Sequence, residues 1–173
     1  YHKEQVVDIL AAAYEGALGQ SRVLSEENYL EIKDYLQKMG LESKMRVAFQ
    51  TLSKGEKQKI LIIRALLSKP EVIILDEAAS GLDAVAAAAL SASVRKMAAR
   101  KDLTLIYVTH RAEEMLDIFE HAVLIKDGQI KKQGLSEQVI NSANLSEILA
   151  HQVAVSKNNG AYEITVEDQE GLF

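Results

Sequence analysis

The sequence predicts an α/β fold in which a partly parallel sheet is flanked by helices and preceded by a mostly helical subdomain. Two short apolar runs, Val72 to Leu75 and Leu103 to Thr109, read as strands buried on both faces, the burial a parallel sheet imposes. Between them Ala84 to Arg100 is rich in alanine, the strongest helix former, so the order is strand, helix, strand. Ahead of them, apolar residues recur at helical spacing.

Taken in order, Val6, Val7, Leu10, Ala13 and Tyr14 mark a first amphipathic helix within Lys3 to Tyr14, and Gly16 and Gly19 break the pattern. Ser25, followed by Glu26 and Glu27, opens a second helix, and Gly40 stands at its C-terminal stop. Ser53 precedes a third, whose apolar face runs from Ile60 to Leu67 before Pro70 ends it. After the strand, helix, strand unit, Glu113 to Phe119 predicts a short helix. Val123 to Ile125 and Gln129 to Lys131 frame Asp127-Gly128, a two-residue hairpin turn. Short helical patterns around Glu137 to Ile140 and Ser146 to His151 lead to a turn-rich break at Lys157-Asn158-Asn159-Gly160. A last strand follows, with Tyr162, Ile164 and Val166 alternating with polar neighbours.

The chain has 173 residues with a formal net charge of -5, 48% hydrophobic and 26% charged residues, the mix of a folded globular domain. No long run of Lys or Arg is present to follow a phosphate backbone, so nucleic acid is not the expected partner. Cysteine is absent, which removes disulfides and thiolate metal sites and suits a reducing compartment. No apolar stretch reaches the roughly 18 residues of a membrane-spanning helix.

Three segments carry candidate chemistry. In Leu52-Ser53-Lys54-Gly55-Glu56-Lys57-Gln58, Ser53 and Glu56 form a capping box at a helix start. Gly55 there leaves the backbone open to close approach by an anion. An ordinary helix cap is the alternative reading. In Val72 to Glu77, two adjacent carboxylates end a buried strand, the place where open α/β sheets set their ligands. Asp76 can hold a divalent cation, usually through water, and Glu77 can act as base toward a water, unless the pair is simply an acidic loop. Ser80-Gly81-Leu82-Asp83 follows, and His110 stands at the end of the next apolar strand, where it could donate to a phosphate oxygen. His2, His121 and His151 have no such placement and read as structural.

In this order the segments resemble the ATP-binding-cassette (ABC) ATPases: signature at Leu52 to Gln58, Walker B at Val72 to Glu77, D-loop at Ser80 to Asp83, switch histidine at His110. The resemblance runs from about Tyr1 to Gly134. It implies a P-loop NTPase-like domain with three parts: a helical subdomain over 1–50, an ATPase core segment over 51–134, and C-terminal helices and strand over 135–173. It further implies ATP and Mg²⁺ as cofactors, with Asp76 supporting the metal through water. Glu77 would activate the attacking water and His110 would contact the terminal phosphate. Ser53, Gly55, Gln58 and Asp83 would serve the nucleotide of a second ABC subunit or the coupling of the two sites. Asp76 and His110 are expected near each other.

The implied function is ATP hydrolysis that drives transport through a membrane permease subunit, with the protein held peripherally on the cytoplasmic face. A soluble ribosome- or DNA-associated ABC ATPase and a non-hydrolysing regulatory cassette are the alternatives. The chain departs from the family in lacking any G-x-x-x-x-G-K-[ST] phosphate loop, in Lys54 where a small residue is usual, and in Ala78 where proline is common. The expectation is that an N-terminal part of the cassette precedes Tyr1 and that the chain alone is inactive. Neither Gln5 nor Gln20 fits the glutamine loop. Tyr14, Tyr29 and Tyr35 either line a groove for a permease helix or pack into the core.

Overall fold

A computed structural model describes residues 4–14, 24–111 and 114–166, and it divides into two compact units, Tyr1–Val108 and Thr109–Phe173. The element order is mixed α/β, and the described strands form three two-stranded sheets.

In the first unit, helices α1 (Val6–Ala11), α2 (Glu26–Lys38) and α3 (Lys54–Leu67) assemble around one apolar core. Val6, Leu10, Ile32, Leu36, Ile60 and Ile63 are all fully buried in it. At about 25 cal/mol per Å² of apolar surface removed from water, side chains of this kind are the main source of the lobe's stability. The expected caps hold. Ser25 Oγ accepts from the Asn28 N–H, and Gly40 takes the left-handed conformation (φ 72°) just past the α2 C-cap. Tyr14 and Tyr35 pack against this core, with the Tyr14 hydroxyl donating to Glu31 at 2.9 Å, whereas Tyr29 is exposed. Gln20 lies outside the described residues.

After α3 the chain forms strand β1 (Val72–Asp76), crosses through α4 (Ala84–Ala98) and returns as β2 (Thr104–Val108), parallel to β1 with Val72 opposite Thr104 and Asp76 opposite Val108. α4 packs on both α3 and β2. Burial here departs from the sequence reading. Ile73 and Leu75 are buried, but Val72 is 50% and Ile74 62% exposed, and Ile106 and Val108 on the paired strand are each 45% exposed. Among the described residues the sheet is covered on the face of Ile73 and Leu75. An apolar run reports that a strand is apolar on both faces, not that the same polypeptide covers both.

The second unit contains hairpin β3 (His121–Lys126) and β4 (Gln129–Leu135), helices α5 (Ser136–Val139) and α6 (Ser142–Leu149), and a further hairpin of β5 (Val153–Asn158) and β6 (Ala161–Val166). Both turns are two residues long with both φ angles positive: Asp127 (54°) with Gly128 (69°), and Asn159 (48°) with Gly160 (79°). These are the mirror-image turns that match strand twist. The sequence marks the second turn only as a break and gives no sign of β5. Ile140, Leu145, Val153 and Tyr162 form the core of this unit.

The expected helix over Glu113 to Phe119 is not formed in its described part. Leu116 makes an antiparallel bridge to Ala161, and the Met115 carbonyl accepts the Tyr162 N–H at 2.9 Å. Pairing with β6 takes the backbone groups a helix would have used. Glu113 itself lies outside the described residues.

Candidate functional site

The first part of the candidate site is the start of α3. Ser53 is its N-cap: Ser53 Oγ accepts the Glu56 N–H at 3.2 Å, and Glu56 Oε2 accepts the Ser53 N–H at 2.8 Å. The reciprocal pair satisfies two donors that a helix start otherwise leaves open. Lys44 Nζ lies 3.0 Å from the other Glu56 oxygen. The Ser53 N–H bond, the larger influence, and the Lys44 charge together hold the Glu56 carboxyl below its ordinary pKa. Gln58 sits half-buried on the first turns of the same helix.

Gly55 has a packing reason to be glycine. A Cβ placed there would meet Ala86 Cβ at 2.9 Å and Leu82 Cδ2 at 3.9 Å, so the α3 start lies directly against the α4 start. Gly81 stands in the same junction with φ 67°, and a Cβ on it would collide with the Lys54 ammonium. The sequence suggested close approach at Gly55 but not its partner. Asp83 is the N-cap of α4, its Oδ1 accepting the Ala86 N–H at 2.8 Å. The signature-like and D-loop-like segments therefore meet side by side.

The second part is the carboxyl end of β1. Asp76 is the last strand residue, exposed, on the same face as Val72 and Ile74. Glu77, also exposed, leaves the strand in the left-handed region at φ 45°. Its N–H donates to the Val108 carbonyl of β2 at 2.9 Å, and its own carbonyl accepts the Ser80 N–H at 2.9 Å. Strand alternation alone thus does not set the direction of Glu77; a fixed turn does. A non-glycine residue held at such a φ costs on the order of 1–3 kcal/mol and persists where its surroundings over-determine it.

His110 is exposed and belongs to the second unit, in a short loop with Thr109, Arg111 and Glu114. Glu114 Oε2 accepts the Thr109 hydroxyl at 2.7 Å, and the Arg111 N–H donates to Thr109 Oγ1 at 3.0 Å. Glu114 is only 8% exposed. The sequence reading singled out His110 but not Glu114; a polar Thr five residues before an interior Glu gives no signal by itself. Among the other histidines, His121 opens β3 and His151 Nδ1 lies 3.0 Å from the Leu149 carbonyl; His2 lies outside the described residues.

Among the described residues no group of three or more His, Cys, Asp or Glu side chains could by itself hold a metal ion, and no helix is long and apolar enough to cross a membrane. Mg²⁺ is ordinarily held by one or two carboxylates together with water and substrate phosphates, so a single strand-end carboxylate at Asp76 fits that donor chemistry.

The sequence matches the family model for ABC transporters over residues 4–80. It is 36% identical over 133 residues to an uncharacterised ABC transporter ATP-binding protein, YmeB, of Lactococcus lactis, a match covering 76% of this chain and 51% of that protein. It is 32% identical over 147 residues to another such protein, YlmA of Bacillus subtilis, covering 84% and 56%. The molybdenum import ATP-binding protein ModC of Pectobacterium atrosepticum is 33% identical over 122 residues, covering 70% and 35%. The chain thus spans about half, or less, of the length of these relatives. Its fold is that of an ABC transporter solved in an inward-facing conformation (TM-score 0.82, 20% identity, 96% of this chain and 68% of that one). It is likewise that of a nucleotide-free ATP-binding cassette (TM-score 0.69, 22% identity, 86% and 60%). With the four motifs in order and this fold in one chain, the protein belongs to the ATP-binding-cassette family and carries part of an ABC nucleotide-binding domain.

Proposed function

We propose that this chain is part of the ATP-hydrolysing subunit of an ABC transporter. The observation that carries the reading is the pair Asp76 and Glu77 at the carboxyl end of β1, with the Glu77 backbone held in a left-handed turn against β2. A strand end of this kind is where α/β sheets place ligands. Asp76 would hold Mg²⁺ through water, and the bound metal would neutralise phosphate charge. Glu77 would orient and deprotonate a water, and His110 would donate to a terminal phosphate oxygen. Ser53, Gly55 and Gln58, at the capped start of α3, would face the nucleotide of a second ABC subunit, and Asp83 would link the two sites. The phosphate-binding backbone and lysine would come from sequence outside this chain.

The relatives named as import ATP-binding proteins support a membrane permease as partner and a peripheral place on the cytoplasmic face. The uncovered apolar face of β1 and β2 is consistent with further sequence packing there in the complete protein.

The test is Mg²⁺-dependent ATP turnover by the complete protein, wild type and Glu77→Gln. Removing a general base typically costs on the order of 100- to 10,000-fold, so Glu77→Gln should bind ATP, accumulate as an ATP-bound dimer on size exclusion, and turn over at a small fraction of the wild-type rate. Wild-type turnover in that variant would remove Glu77 from the role of base.

A further inference from the structure

We propose that Glu114 is a positioning residue for His110, acting through a clasp on the two residues that flank the histidine. This rests on the reading of His110 as a phosphate contact. Three bonds make the clasp. The Thr109 hydroxyl donates to Glu114 Oε2 at 2.7 Å, the same hydroxyl oxygen accepts the Arg111 N–H at 3.0 Å, and the Glu114 N–H donates to the Arg111 carbonyl at 3.3 Å. Arg111 Nε lies 3.6 Å from Glu114 Oε1. The residues on either side of His110 are therefore both tied to Glu114: Thr109 through its hydroxyl on the carboxylate, and Arg111 through its guanidinium facing the carboxylate, its carbonyl on the Glu114 N–H, and its own N–H on the Thr109 hydroxyl oxygen.

The physical case starts from burial. A carboxylate as covered as Glu114 is costly to place without donors or positive charge; Oε2 accepts the Thr109 hydroxyl, while buried Oε1 makes no hydrogen bond among the described residues and is met by the Arg111 guanidinium at the longer ion-pair distance of 3.6 Å. The Thr109 hydroxyl has one proton to give and uses it on Glu114, which fixes the direction from which its oxygen accepts the Arg111 amide. Breaking either bond frees the other. Thr109 and Arg111 are thereby held against one buried carboxylate, and His110 between them is exposed. A group that must meet a phosphate oxygen gains from such pre-organisation, since a misplacement of about 1 Å can cost on the order of 100-fold in rate.

The experiment uses the complete protein and two readouts, ATP turnover and amide exchange of the 109–114 loop. Glu114→Ala and the near-isosteric Thr109→Val should each lower kcat by about 10- to 100-fold while KM for ATP stays within about twofold. Glu114→Gln, which keeps an oxygen for the Thr109 hydroxyl, should recover most of the loss. In a His110→Ala background the same changes should cause no further loss, because the clasp then has nothing to position. Exchange of the Arg111 amide should accelerate in Thr109→Val and Glu114→Ala, with the β3 to β6 amides unchanged. Equal losses with and without His110, or unchanged Arg111 exchange in a protein that turns ATP over, would overturn the clasp. Absence of turnover in the wild type would overturn the hydrolytic reading on which the proposal rests, whatever the exchange shows.

Discussion

The amide of Glu77 donates to the carbonyl of Val108 at 2.9 Å, so the proposed base is fastened by its backbone to the strand next to its own. That bond holds a non-glycine residue at φ 45° and ties its position to the pairing of β1 with β2.

Backbone strain at Glu77 should therefore separate stability from activity. Glycine occupies the left-handed region without steric cost, so relief of strain offsets the entropy that glycine adds to the unfolded chain. Glu77→Gly should leave the unfolding free energy from urea titration within about 1 kcal/mol of wild type, or raise it, while turnover is lost. A large loss of stability would show that the Glu77 side chain holds the turn.

At the junction of α3 and α4, adding a single methyl should be costly. Gly55→Ala would place its Cβ 2.9 Å from Ala86 Cβ, a contact between two helices that neither side chain can rotate away from. Overpacking of this kind costs typically about 1–3 kcal/mol. Ala86→Gly in the same protein should restore most of the loss, and thermal unfolding of the single and double variants measures it. Independent, additive losses would mean the two positions do not meet.

The capping box predicts an acid-sensitive helix start. Glu56 is held below its ordinary value of 4.5, first by the Ser53 N–H and then by Lys44. A carboxyl whose folded pKa is depressed contributes stability that is present above its unfolded pKa and is lost as pH falls through the folded one. Glu56→Gln keeps an acceptor for Ser53 but has no proton to gain, so its stability should fall less steeply with acid below about pH 4.5. Urea midpoints from pH 6 down to about 3 test this, and parallel curves for the two proteins would refute it.

The chain from Tyr1 to Phe173 by itself should neither bind ATP at micromolar concentration nor hydrolyse it, because no G-x-x-x-x-G-K-[ST] sequence is present to cradle phosphates. Isothermal calorimetry decides the point. Tight binding would place the phosphate site among residues assigned other work here.

Much of the fold was legible because its signals are local. The Ser25 and Ser53 caps, the Gly40 stop, the alanine-rich α4 and the Asp127-Gly128 turn all follow from short-range chemistry. The departures come from distant contacts. Glu113 to Phe119 reads as a short helix, but Met115 and Leu116 are claimed by β6; Val153 to Asn158 is a strand because Asn159-Gly160 folds it back on Tyr162. Motif order singles out Asp76, Glu77 and His110 as candidates, whereas the Ala86 partner of Gly55 and the Glu114 clasp depend on which residues the fold brings together.

The parallel pairing of β1 with β2 also sets a timetable for synthesis. Each rung joins residues separated by the whole of α4, so Val72 to Asp76 emerges from the ribosome well before its described partner, Thr104 to Val108. At roughly 5–20 residues per second that interval lasts on the order of seconds. The hairpins of the second unit turn over two residues and can close within about 1–10 μs of emerging. The nascent chain thus carries this apolar strand, and the carboxylates at its end, without its β2 partner for far longer than either hairpin waits.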